Sequence, residues 1–277
     1  MAKSPTGPPP PPPVQKLRLR YTKRGRLRFT SHRDIARAFE RALRRAQVPM
    51  AYSAGFSPHP KISWVGAAPT GVASEAEYVE ISVAERVDPE ALRRSLDESL
   101  PVGIDVEEVV EARVGTSLPD RVQASRWGVR RPGVSVDQAE KAVAAFLATD
   151  ELLVERLTKN GRRSLDARAA VVSMTVAARE SSAHDDVACA TLDMVVRHVT
   201  PAVRPEDVLS GLTIVADLVP PVPPEATRYA QGLLTEDGGV ADPLAPDRAD
   251  PPGADGTGAT RQADELLGAR PQDLSGS

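Results

Sequence analysis

Four histidines, one cysteine and scattered acids are the groups available for chemistry in this chain of 277 residues. The least ordinary arrangement is around His59, which stands between Pro58 and Pro60 and is followed by Lys61. Each proline fixes its own φ and pushes the residue before it toward extended backbone, so the segment from Ser57 to Lys61 is stiff and displays the imidazole. His32 and Asp34 are the other candidates. Together with His59 they would make an acid–base set if they converged within hydrogen-bonding reach of a substrate. Two bland alternatives stand beside that reading: His32 is a hydrogen-bonding residue in the first turn of a helix, and His59 fixes its own loop. Contact with an anionic ligand is a further one. These spacings match no compact metal-ligand pattern, and Cys189, His184 and His198 read as a strand thiol and surface imidazoles. A single cysteine excludes an internal disulfide and a chain-encoded iron–sulfur cluster, so neither metal nor cofactor is expected.

The charge distribution points elsewhere. The formal net charge is -3, yet from Lys16 to Lys61 the chain carries thirteen basic residues against only Asp34 and Glu40. Arg33, Arg37, Arg41, Arg44 and Arg45 recur mostly at spacings of three or four, which places them on one broad face of a helix. A merely solvated helix mixes Glu with Arg, and this one does not. Lys23, Arg24, Arg26 and Arg28 extend the cationic surface on the preceding segment, and Tyr52 and Phe56 beside it are candidates to stack on unpaired bases. Beyond Pro220 the sign reverses, with Asp237, Asp242, Asp247, Asp250, Asp255, Asp264 and Glu265, as in a tail that competes with an anionic partner.

The elements that must position these residues follow from periodicity. Leu17, Leu19 and Tyr21 alternate with Arg18, Arg20 and Thr22 as in a half-buried strand, and Leu27 and Phe29 continue it as a hairpin or bend. Ser31, three residues before Asp34, opens a helix with Ile35, Ala38, Phe39, Ala42 and Leu43 inward. Strands at 61–65 and 78–83, a helix capped by Asp88 with Pro89 at its first position, and a strand from Ile104 complete the order of a ferredoxin-like βαββαβ sandwich. Burial of Phe29, Phe39, Leu43, Leu92 and Leu96, at roughly 1.5–3 kcal/mol each, would give its core. The second half has a similar outline: strand at Trp127, helix 136–148, strands at 152–157, 169–177 and 187–199 with an Asn160-Gly161 turn, and a short helix at 205–212. It reads as a second α/β unit with the character of a degenerate repeat.

The fold class is therefore α+β. The ends, Pro8–Pro13 and the Pro/Gly-rich acidic stretch, cannot bury enough apolar surface to offset their ordering entropy. This divides the chain into a disordered polyproline segment (1–13), a ferredoxin-like domain with the basic face (14–113), a second α/β domain (114–218) and a disordered acidic tail (219–277). No apolar run approaches the roughly 20 residues of a membrane span, so a cytoplasmic protein with no membrane contact is expected.

The blocks Arg28-Phe29-Thr30-Ser31-His32-Arg33-Asp34, Arg41-Ala42-Leu43-Arg44-Arg45, Tyr52 through Lys61 and Gly71-Val72-Ala73-Ser74 resemble the radical SAM-linked protein family. That family is a domain of unknown function, free-standing or fused to the C-terminus of B12-binding radical SAM proteins. The resemblance covers most of the folded region and is sharp from Leu27 to Tyr78. Ser57 stands where asparagine is expected and Arg33 where the family has an apolar residue. The chain lacks the Cys-x3-Cys-x2-Cys triad, so the resemblance implies an accessory role.

Three functions remain distinct. The first is a non-catalytic RNA-binding module that presents RNA, or another polyanion, to a radical SAM or RNA-processing enzyme, using Arg33, Arg37, Arg41, Arg44, Arg45 and Lys61 on phosphates with His59, Tyr52 and Phe56 reading the ligand. The second is an enzyme acting on a phosphorylated or nucleotide substrate through His32, Asp34 and His59. The third is a protein–protein adaptor docking through its two tails.

Overall fold

The structure, a computed structural model, describes residues 10–158, 161–177 and 188–249. In the first half β1 (Gln15–Lys23) passes through a 3-10 turn (Gly25–Phe29) into α1 (His32–Arg45). Then follow β2 (Ile62–Val65), β3 (Ala73–Val83), α2 (Pro89–Ser99) and β4 (Val106–Glu111). A second 3-10 turn (Pro119–Arg121) leads to β5 (Ala124–Pro132), α3 (Val136–Leu147), the hairpin β6 (Leu153–Thr158) and β7 (Gly161–Asp166), and α4 (Ala167–Ala170). The chain continues with β8 (Val171–Ala177), β9 (Cys189–Arg197), α5 (Pro205–Ala216), β10 (Glu225–Leu234), β11 (Val240–Ala241) and α6 (Ala245–Ala249). Local chemistry accounts for the helix starts. The side chains of Ser31, Asp88 and Ser135 accept the backbone N–H of Asp34, Ala91 and Gln138, and Gln138 returns a bond to Ser135 as a full capping box.

The protein is α+β, built on one mixed nine-stranded sheet. Its strands run β4-β1-β3-β10-β5-β9-β8, with β2 added to β3 and β11 to β10. Among the described ladders only β3 and β10 run parallel. β3 shares one edge between two partners: Tyr78 to Ile81 pair with β2, and Ala73 and Ser74 pair with β10. Taken by chain order within each half, β4-β1-β3-β2 and β10-β5-β9-β8 show the same succession. One core packs Leu17, Leu19, Phe39, Leu43, Ile81 and Leu96 between strands and helices of the first half; another gathers Trp127, Val129, Phe146, Leu192, Met194 and Leu212 in the second.

Several expectations are corrected. Residues 24–29 form no strand: Gly25 adopts φ +55° and the Leu27 and Thr30 N–H groups bond back to Arg24 and Leu27, a tight turn that leaves Phe29 60% exposed and outside the core. Arg18 does not face water. A second layer, including Leu118, Val122 and Leu244, covers that side of the sheet, and Arg18 is fully buried. The chain beyond residue 218 is not a free tail as far as 249, since it supplies β10 between β3 and β5 and then α6. Asn160 and residue 187 lie outside the described residues, as do the rest of the tail and residues 1–9.

Two buried ion pairs close this architecture. At the seam, Arg228 on β10 pairs with Glu77 on β3, donates through Nε to Ser74 Oγ (3.3 Å) and lies 5.4 Å over the Trp127 ring of β5. Glu77 in turn accepts the Ala68 N–H at 3.0 Å. In the second layer, Arg18 grips both oxygens of Asp247 at 3.0 and 2.8 Å, while Arg121 (2.8 Å) and the Arg113 N–H (3.0 Å) complete the carboxylate. Burial pushes the Asp247 carboxyl up, but the bonds from Arg113, Arg18 and Arg121 outweigh it and hold it below the ordinary value.

Breaking either pair removes a buried counter-charge: Glu77 loses its guanidinium, or Arg121 loses its carboxylate while Arg18 keeps only Glu80, 2.9 Å from its Nε. Arg228→Ala and Asp247→Asn should each lower unfolding free energy by about 3–5 kcal/mol in denaturant titrations at neutral pH. A lowered carboxyl pKa contributes stability that is fully present above the unfolded value of about 4 and is lost as pH falls through the folded one. Acid titration should therefore show a steeper stability loss below about pH 4 in the wild type than in Asp247→Asn.

Candidate nucleic-acid interface

The Ser31 cap and the inward run Ile35, Ala38, Phe39, Ala42 and Leu43 fix the rotation of α1. Arg33, Arg37, Arg41, Arg44 and Arg45 consequently stand exposed on its outer side. Arg37 lies 3.6 Å from Asp34 in an exposed pair, and among the described residues Arg33, Arg41, Arg44 and Arg45 form no ion pair. The wider cationic surface expected from the sequence is reduced. Lys16 pairs with Glu80 at 3.0 Å. Arg24 is neutralised by Glu75, Asp105 and Glu107, and this contact raises its pKa. Lys23 is buried, with Nζ donating to the carbonyl of Pro69 at 2.9 Å, and burial lowers its pKa.

The His59 loop is closed on itself. Tyr52 bridges Pro60, the Ser53 N–H donates to the His59 carbonyl at 2.9 Å, and the His59 N–H donates to Ser53 Oγ at 3.0 Å. Its imidazole is exposed, as are Tyr52 (48%) and Phe56 (72%), and Lys61 at the loop's exit is partly exposed. Rings of that size left in water are not explained by packing beneath the loop.

His32 and Asp34 find different partners. The His32 ring meets Trp64 edge-on, 5.1 Å between centroids, and Trp64 continues through Phe39 (5.2 Å) to Tyr21 in the core. Asp34 accepts from Ser31 Oγ at 2.7 Å. Among the described residues no hydrogen bond or ion pair joins any two of His32, Asp34 and His59. His198 donates or accepts at Ser125 Oγ (2.8 Å) and reaches the Val122 carbonyl (3.2 Å); burial lowers its pKa. Cys189 is half-buried on β9, and His184 lies outside the described residues.

Sequence reasoning missed two members of this surface. Trp64 was read only as part of a strand, although it is what holds the start of α1 against β2. Phe29 was assigned to the core; it is instead an exposed ring with the Arg28 guanidinium 4.8 Å above it. The arrangement presents exposed guanidinium groups and exposed flat rings, and among the described residues His32, Asp34 and His59 do not hydrogen-bond to one another.

A family described as "Uncharacterized protein conserved in bacteria (DUF2344)" matches residues 16–205. The chain belongs to this family. No curated protein matches it. The family region takes in α1, the His59 loop and both 3-10 turns, and it ends at the first residue of α5, so β10 and α6 lie beyond it.

Exposure separates solvent-facing rings from supporting ones. Phe56→Ala and Tyr52→Ala should leave unfolding free energy within about 0.5 kcal/mol of the wild type. Trp64→Ala should cost about 2–3 kcal/mol, below a full core truncation because the ring is half-buried. Denaturant melts of the three variants read both.

Proposed function

We propose that this protein is a radical SAM-linked accessory protein of the cytoplasm, a non-catalytic RNA-binding module that presents or recognises RNA for a partner enzyme. The observation that carries the reading is the outer face of α1: Arg33, Arg41, Arg44 and Arg45 are exposed and have no carboxylate partner among the described residues, and the segments that flank the helix in sequence carry the exposed rings of Phe29, Tyr52 and Phe56. Free guanidinium groups at helical spacing suit a phosphate backbone, and exposed rings suit unpaired bases. In the same proposal the first half is a ferredoxin-like unit, supported by the order β4-β1-β3-β2 with α1 and α2 as its crossings, and the second half is its repeat. The acid–base reading of His32, Asp34 and His59 draws no support from their placement. The adaptor reading loses residues 219–249 as a free docking tail, because they build β10 and α6.

With about four phosphates contacted on a single strand, log affinity should fall with log salt at a slope near -3, roughly a fifty-fold loss between 50 and 200 mM. Replacing Arg41 and Arg44 together by Ala should flatten that slope by about 1.4. Fluorescence anisotropy with a labelled single-stranded RNA measures both, and an affinity that ignores salt would overturn the reading.

A further inference from the structure

Arg131 stands apart from every contact described above. It lies near the end of β5, on the same strand face as Trp127 and Val129, and is only 3% exposed. Its Nε and Nη2 are sealed from solvent and have no hydrogen-bond partner among the described residues, whereas the buried Arg18, Arg121 and Arg228 all meet carboxylates. Burial alone depresses its pKa. In a guanidinium, Nε–H and Nη2–H share one edge, the edge that takes both oxygens of a carboxylate.

Arg131 lines a cavity of about 480 Å³ that is broadly open to solvent. Glu206, Leu209, Ser210 and Thr213 form one wall, at the spacing of a single α5 face, and a strap of residues 220–224, four of them proline, forms the other. The strap closes directly on the end of β5: a Cβ at Gly133 would stand 2.6 Å from Pro221 Cγ, so only glycine admits it there.

We propose that this cavity binds a small carboxylate with an apolar body, its carboxylate on the Nε and Nη2 edge of Arg131 and its apolar part against Leu209 and Pro221. Entry moves the strap off the guanidinium edge. One arginine balances one negative charge, and Glu206 on the wall opposes a dianion, so a monocarboxylate is preferred to phosphate. The site is separate from the α1 face and does not depend on RNA binding.

Calorimetric titration of the full chain with phenylacetate and with inorganic phosphate, at constant ionic strength, tests this. The wild type should bind phenylacetate at one saturable site, more tightly than phosphate. Arg131→Met should weaken that binding at least about tenfold. It should also raise the Tm of the ligand-free protein, because a buried charge without a partner has been removed. Ser210→Trp, which fills the cavity from an exposed position, should abolish binding with Arg131 in place. Absence of saturable phenylacetate binding, or its survival in either variant, overturns the site. Phosphate binding as tight as that of phenylacetate overturns the ligand class. A lowered Tm or failure to fold in Arg131→Met makes the arginine structural and overturns its role.

Discussion

The buried pairing of Arg228 with Glu77 is the interaction on which the two halves of this protein depend. β10 comes from the far end of the chain, yet it is the strand that hydrogen-bonds to β3 on one side and β5 on the other. Its parallel register with β3 spans only Thr227 and Arg228, too short a ladder to hold the seam by backbone bonds alone. The guanidinium supplies the rest. It meets Glu77 and Ser74 across one side and the Trp127 ring across the other, while Gln231 adds a 2.6 Å bond to the Ala76 carbonyl. Buried charges without such partners would oppose folding, so the pairing also fixes the register.

This seam bears on function through the allocation of arginines. Arg18, Arg121 and Arg228 are drawn into buried carboxylates, and Arg24 into a surface cluster of three acids. Among the described residues Arg33, Arg41, Arg44 and Arg45 of α1 form no ion pair, because their helix turns its apolar stripe inward and has only Asp34, which takes Arg37, and Glu40 on its other sides. Asp247, which read in sequence as one acid of a competing tail, is instead an internal ligand for Arg18 and Arg121. The cationic surface is therefore narrower than composition suggests, and more sharply placed. The Trp64 ring packs on His32, at the start of α1, and on Phe39.

What could be read from the chain was local. The cap at Ser31, the Asp88-Pro89 helix start, the outward arginines of α1 and the exposure of His59 all arise from neighbours a few residues apart, and the structure has them where spacing puts them. β10 was hidden because Pro220, Pro221, Pro223 and Pro224 precede it, because it buries Arg228 and Gln231, and because an irregularity between Arg228 and Ala230 breaks its alternation. Phe29 was misplaced because its alternation with Arg28 resembled a strand, while Gly25 turned the backbone into a 3-10 helix.

The α+β class, the starts of α1, α2, α3 and α5 and the face of α1 that meets water were legible in the residues alone, since capping, periodicity and proline geometry act within one or two turns of chain. Which polar residues are buried depends on contacts that form only when distant segments pack together. Arg18 meets Asp247 across 229 positions and Glu77 meets Arg228 across 151, and no local pattern encodes a partner so distant. Arg131 is the opposite case, a buried cation whose Nε and Nη2 have no partner among the described residues and whose setting appears only once β5, α5 and the proline strap come together.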